Sequence, residues 1–248
     1  MIVAAVGPAT SLFLDAGTFL VSFSLIAGAR WTGRRRAVEQ RSSVQAVRTA
    51  PAEMRVGISW VREDRLVRRM LVAQGAYMLA AAFFFTGLVP FLQHHLHGGA
   101  ALYGLQGAVF GSGLVISSWL IGLRPLRKIG QLYCLGLVVN GVGNSLFALA
   151  PSVWYLLPAV FLAGLGRAAH AIGERTILQT QVAPEVRGRV FVLLGTVAPI
   201  IWAPALPLGG WMSDHASAQA VLLCASLAHV GIGLWLQATA SVRQAQLS

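Results

Sequence analysis

The chain has 248 residues, of which 56% are hydrophobic and only 11% charged, and its mean hydropathy is +0.68. A soluble domain carries about a quarter charged residues, so a water-soluble globule is excluded and lipid is the natural solvent for most of the chain. A formal charge of +11 and a pI near 11.3 do not signal nucleic acid, because the basic residues fall between apolar runs instead of forming one face of a domain.

A bilayer core of ~30 Å requires about 20 mainly apolar residues per helix. Seven segments meet that length: roughly 8–29, 70–93, 102–123, 131–150, 154–179, 188–212 and 217–240. They are too long for strands and lack the period-2 alternation of a membrane barrel. The expected fold class is therefore all-α, a polytopic membrane helix bundle. The first segment carries Asp15 in an otherwise apolar run, and the N-terminus lacks the basic start of a signal peptide. Residues 31–69 are the one long polar stretch, a basic linker followed by Met54, Ile58, Val61 and Arg65 at helical spacing. That spacing suits an amphipathic helix on the inner membrane surface or a solvated linker helix.

Orientation follows from the basic residues. Eleven precede the second span, Arg124, Arg127 and Lys128 occupy the third connection, Arg187 and Arg189 the fifth, and Arg243 the tail. These alternate connections hold 17 of the 19, while the intervening ones, around "QHHLHGGA", "APSV" and "SDHAS", hold none. The N-terminus is thus expected outside the cell membrane and the C-terminus in the cytoplasm, with 241–248 as a cytoplasmic tail.

Ionisable residues inside a membrane are expensive and so are functional candidates. In the fifth span Arg167, His170 and Glu174 stand at i, i+3 and i+7, on one helical face. His170 and Glu174 are four apart and suit proton or hydrogen-bond sharing; the alternative is that Arg167 and Glu174 pair structurally. Asp15 is open to substrate or proton handling, or to a packing hydrogen bond. Asn140 and Asn144 form a polar stripe that suits interhelical bonding or a cavity wall. Gly104, Gly107, Gly111 and Gly113 suit close helix approach in the third span. Arg187, Gly188 and Arg189 anchor the start of the sixth span at the inner headgroups, and Pro199, Pro204 and Pro207 within it are expected kinks, tolerated where neighbours satisfy the freed carbonyls.

Other chemistries find no support. "HHLH" (94–97) has no acid or cysteine nearby and reads as an interfacial loop, so no metal site is expected. Cys134 and Cys224 lie in apolar runs and read as small buried residues. There is no H-E-x-x-H, no G-x-S-x-G and no clustered acid pair, so the chain is not expected to be an enzyme or to hold a cofactor. A retinal protein is ruled out because the sole lysine, Lys128, lies in a loop.

Five stretches in order, "FLDAGTFLVSFSLIAG" (13–28), the basic linker, "ISWVREDRLVRRMLV" (58–72), "ALYGLQGAVFGSGLVIS" (101–117) and "VAPEVRGRVFVLLGTVAPIIWAPALPLGGWMSD" (182–214), resemble the major facilitator superfamily, in its macrolide-efflux-like drug exporter branch. The resemblance covers nearly the whole chain. It implies the last helix of a first six-helix half (1–30), a cytoplasmic linker (31–69) and a complete second half (70–240), in a truncated form. Asp15 falls on the D-A-x-x-F pattern of that helix, and the P-E-V-R-G-R lead-in matches well. In "IGLRPLRKIGQL" Lys128 and Gly130 fit the family's loop, but Arg127 replaces its acid. The implied function is alternating-access, proton-coupled efflux of small amphipathic compounds. Its partners would be membrane lipids, a small-molecule substrate and a chain supplying the missing N-terminal helices, and no nucleic acid. The competing expectation is an inactive remnant or an interaction subunit that needs a partner chain.

Overall fold

The computed structural model describes residues 2–28, 63–123 and 128–239 together with Ser59 and Val242; of the first helix it describes the side chains of Thr10 and 13–28. Among the described residues there are seven α-helices and no strand. They are α1 (Ile2–Gly28), α2 (Arg65–Pro90), α3 (Ala100–Gly122), α4 (Ile129–Ala148), α5 (Val153–Gln181), α6 (Pro184–His215) and α7 (Ala218–Ala238). A π-helical turn, Phe91–His95, continues α2 past Pro90.

Local signals explain where these helices begin. Asp64 caps α2 by accepting hydrogen bonds from the amides of Leu66 (2.8 Å) and Val67 (3.0 Å), which satisfies two donors that a helix start leaves free. Residues 65–69, expected to end a surface helix, are instead the first turn of α2. The rest of the linker, apart from Ser59, Glu63 and Asp64, and residues 124–127 lie outside the described residues. Pro184 opens α6 at a position where its missing N–H costs nothing.

Five helices are long and apolar enough to cross a membrane: α2 with its π turn, α3, α5, α6 and α7. The shortest has 21 residues, about 31 Å at 1.5 Å per residue. Seven such spans were expected. α4 is absent from the five although it has 20 residues, because Gln131, Asn140 and Asn144 dilute its apolar content. α1 supplies only the shorter apolar stretch Phe13–Gly28.

The helices pack in the spatial order α3, α5, α4, α7, α2, α6, and α1 meets the bundle at α3. Two apolar clusters hold them. One joins α2, α4, α5, α6 and α7 around Met70, Leu137, Ile177 and Leu236; the other, toward the opposite ends, gathers Phe91, Phe147, Leu156 and Leu222. Outward faces carry large exposed apolar side chains such as Trp154 (82%) and Phe13 (79%), a surface suited to hydrocarbon and not to water.

Candidate functional site

A cavity of ≈ 270 Å³ lies between the two apolar clusters, walled by α2, α3, α4, α5, α6 and α7. Seven of its 17 lining residues are aromatic, with rings from α2 (Tyr77, Phe84, Phe85), α3 (Tyr103, Phe110), α4 (Phe147) and α6 (Trp202). Polar groups reach it from Gln106, Asn140, Asn144, Arg167 and His229. Such an apolar pocket with a few convergent polar groups is the usual form of a small-molecule site.

The α4–α5 contact sets this geometry. A Cβ added at Gly136 would collide with the backbone of Gly166, Ala169 and His170, one at Gly166 with Asn140, one at Gly143 with Ala163, and one at Gly173 with Tyr133. Four glycines therefore let the two helices approach backbone to backbone. At that separation the Asn140 side chain donates to the Ala163 carbonyl (2.9 Å), and the His170 ring stacks on Tyr133 (5.1 Å, 21°). Ser117 ties α3 to α5 in the same way, donating to the Leu165 carbonyl (2.9 Å). Of the four α3 glycines expected to mediate packing, Gly113 does so against Phe161 and Gly164, whereas a Cβ added at Gly107 or Gly111 would meet nothing within 4 Å. The dominant glycine seam is the α4–α5 one.

Next to the cavity lies a buried aromatic–histidine cluster drawn from four helices. Tyr77 of α2 sits between His170 of α5 and His229 of α7, each ring centroid 4.7 Å away. The Arg167 guanidinium lies 5.5 Å from the centroid of the Tyr77 ring, within the range of a cation–π contact. A ring nitrogen of His229 approaches the Tyr77 carbonyl at 3.4 Å. Several polar atoms here are buried with no hydrogen-bond partner: Nη1 of Arg167, both ring nitrogens of His170, Oε1 of Glu174, Nδ1 of His229 and the Tyr133 hydroxyl. Each such atom costs free energy unless another group or water meets it.

The expected site residues thus separate. Arg167, His170 and Glu174 do share one face of α5 and enter this region. The Glu174–His170 hydrogen bond and the Arg167–Glu174 ion pair are both unmade among the described residues, since His170 is held by two aromatic rings and Glu174 lies beyond it along α5. Asn140 and Asn144 line the cavity, and Asn140 also makes the interhelical bond. Asp15 is elsewhere: it is exposed on α1, away from the cavity. Arg187 is half-buried and donates through Nε (3.3 Å) and Nη2 (3.1 Å) to the Val182 carbonyl, closing the end of α5. Gly188 is exposed and Arg189 half-buried beside it.

Pro199, Pro204 and Pro207 lie inside a continuous α6 with their rings exposed. α6 reaches the cavity through Trp202. Each proline removes one i→i−4 bond and frees a carbonyl, at Gly195, Ile200 and Ala203. Among the described residues no group of three or more metal-ligating side chains occurs; Cys134 and Cys224 form no disulfide, Cys134 being buried as expected and Cys224 exposed.

Tyr77, Tyr133, Trp202 and His229 escaped the sequence reading. His229 had a signal: it is the only histidine, acid or base in α7, and intramembrane ionisable residues merit attention by default. The aromatic residues had none, because an aromatic residue in an apolar helix looks the same whether it faces core, cavity or lipid. Comparison of the chain with known protein families and with curated proteins found no match.

Proposed function

We propose that the chain is an integral membrane protein acting as a secondary active transporter, exporting small amphipathic compounds by alternating access coupled to protons. The observation that carries this reading is the aromatic cavity with its buried cluster of Arg167, His170, His229 and Glu174 alongside. A ligand pocket and unpartnered proton-carrying groups on the same helices are what coupling of substrate to protons requires. The resemblance to the macrolide-efflux-like branch of the major facilitator superfamily supports the same reading. The basic residues at alternate connections support a cell membrane location with the C-terminus in the cytoplasm. α6, with three carbonyls freed by proline, is the helix best able to bend as the bundle rocks.

A second reading is favoured by one specific observation. Asp15 is exposed in an apolar part of α1, and its carboxylate has no hydrogen bond or ion pair among the described residues. A carboxylate on a lipid-facing helix is costly and calls for a protein partner. On this reading the chain is a membrane subunit that works only with a further chain covering α1.

Efflux from cells expressing this chain alone, with and without a protonophore, tests the proposal. Uncoupler-sensitive loss of a dye or antibiotic supports transport. Absence of efflux across a broad panel supports the subunit reading.

A further inference from the structure

A single fixed charge sets the character of the cavity. Arg167 is the only charged residue of the wall, and no carboxylate lines it. Among the described residues Arg167 makes no ion pair, and its Nη1 is buried without a partner. The Trp202 indole N–H, a group that can only donate, is also a buried wall group without a partner. Nδ1 of His229 is also open, and because Nε2 faces the Tyr77 carbonyl as the donor, Nδ1 is the acceptor nitrogen of that ring. A second open acceptor is Oδ1 of Asn140, whose amide nitrogen is committed to Ala163. Aromatic and aliphatic side chains, with Gln106 and Asn144, make up the rest of the wall.

Resting on the transporter reading, we infer that the cavity takes a planar aromatic anion, a compound with one or two fused rings bearing a single carboxylate or sulfonate. The anionic oxygens meet Arg167 and the Trp202 N–H, and the rings lie among Tyr77, Phe84, Phe110 and Phe147. A cavity of ≈ 270 Å³ matches one such molecule. A lipophilic cation of the same shape is rejected: it meets the Arg167 charge at short range in a medium of low dielectric, and no carboxylate lines the cavity to pair with it, Glu174 lying outside the wall.

The test is calorimetric titration of the purified full-length chain in detergent with three probes sharing one ring system. They are 2-naphthalenesulfonate, 2-naphthalenesulfonamide and (2-naphthylmethyl)trimethylammonium: permanent anion, neutral analogue and permanent cation. The anion binds more tightly than the neutral probe by at least about tenfold, the value of a charge-assisted hydrogen bond, and the cation binds weakest. Arg167→Gln brings the anion down to the affinity of the neutral probe, while Arg167→Lys, which keeps the charge, retains part of the preference. Trp202→Phe, which keeps the ring and loses the donor, weakens the anion by several-fold and serves where Arg167→Gln fails to fold. The inference is overturned if the cation binds as well as the anion, if no probe binds, or if the preference for the anion survives both Arg167→Gln and Trp202→Phe. Binding requires no proton gradient, so anion binding without driven transport refutes the transporter reading and leaves the ligand class standing. Driven transport confined to cations refutes the ligand class alone.

Discussion

The substitution Gly166→Ala isolates the contact on which the site depends. A Cβ there would stand 2.7 Å from the Gly136 carbonyl oxygen and 2.8 Å from the Asn140 Cα, closer than real Cβ atoms come to backbone. Neither atom can rotate aside, so α4 and α5 must separate, and overpacking of this kind costs about 1–3 kcal/mol. Separation also strains the bond from Asn140 to Ala163, worth about 0.6 kcal/mol between membrane helices. Alanine meanwhile gains up to about 1 kcal/mol over glycine in helix propensity. Gly107→Ala on α3 is the control, since nothing lies within 4 Å of its added Cβ. The propensity gain is common to both variants, so their difference reports the steric cost. For a chain of this size that difference corresponds to a melting temperature lower for Gly166→Ala by roughly 3–9 °C. Thermal unfolding followed by circular dichroism in one detergent measures it. Equal melting temperatures for the two variants would refute the backbone-to-backbone contact of α4 and α5.

Three further outcomes follow from the same geometry. Glu174→Gln removes a buried proton-carrying group that lies beyond Arg167 on α5; substrate is then expected to exchange down its own gradient while accumulation driven by a pH gradient is lost, as read in membrane vesicles. Asp64→Ala deletes the cap of α2 and lowers thermal stability by about 1 kcal/mol, whereas Asp64→Asn, also a good capping residue, retains most of it. Pro204→Ala restores the amide that Ile200 lacks, so it raises the melting temperature, by up to about 3 kcal/mol in stability, and slows turnover if bending of α6 is part of the cycle; unchanged stability would mean that α6 is unstrained at this position.

Helices were legible in the sequence because length and apolar content are local properties. α2, α3, α5, α6 and α7 fall where apolar runs exceed the bilayer thickness. α4 shows the limit of that logic: Asn140 and Asn144 are polar because they face a cavity and a neighbouring helix, so the features that mark function also weaken the span signal. The face shared by Arg167, His170 and Glu174 was legible from helical spacing. What holds them was not. Tyr77 and Tyr133 enclose His170 from two other helices, and a sequence does not state which helix lies against which. The same gap explains the glycines. Stripes on α3, α4 and α5 look equivalent in sequence, yet Gly136 and Gly166 meet backbone while Gly107 and Gly111 meet nothing. The bonds from Arg187 to the Val182 carbonyl were not legible either, because they depend on the short turn between α5 and α6.

Uphill movement of solute by the purified chain tests the central claim most directly. The full-length chain is reconstituted in proteoliposomes with an acidic interior, the membrane potential is clamped with potassium and valinomycin, and uptake of permanently charged and neutral aromatic probes is followed. The account predicts accumulation of at least one probe above its external concentration, abolished by a protonophore and by Glu174→Gln. Uptake no greater than in protein-free liposomes for every probe would contradict it.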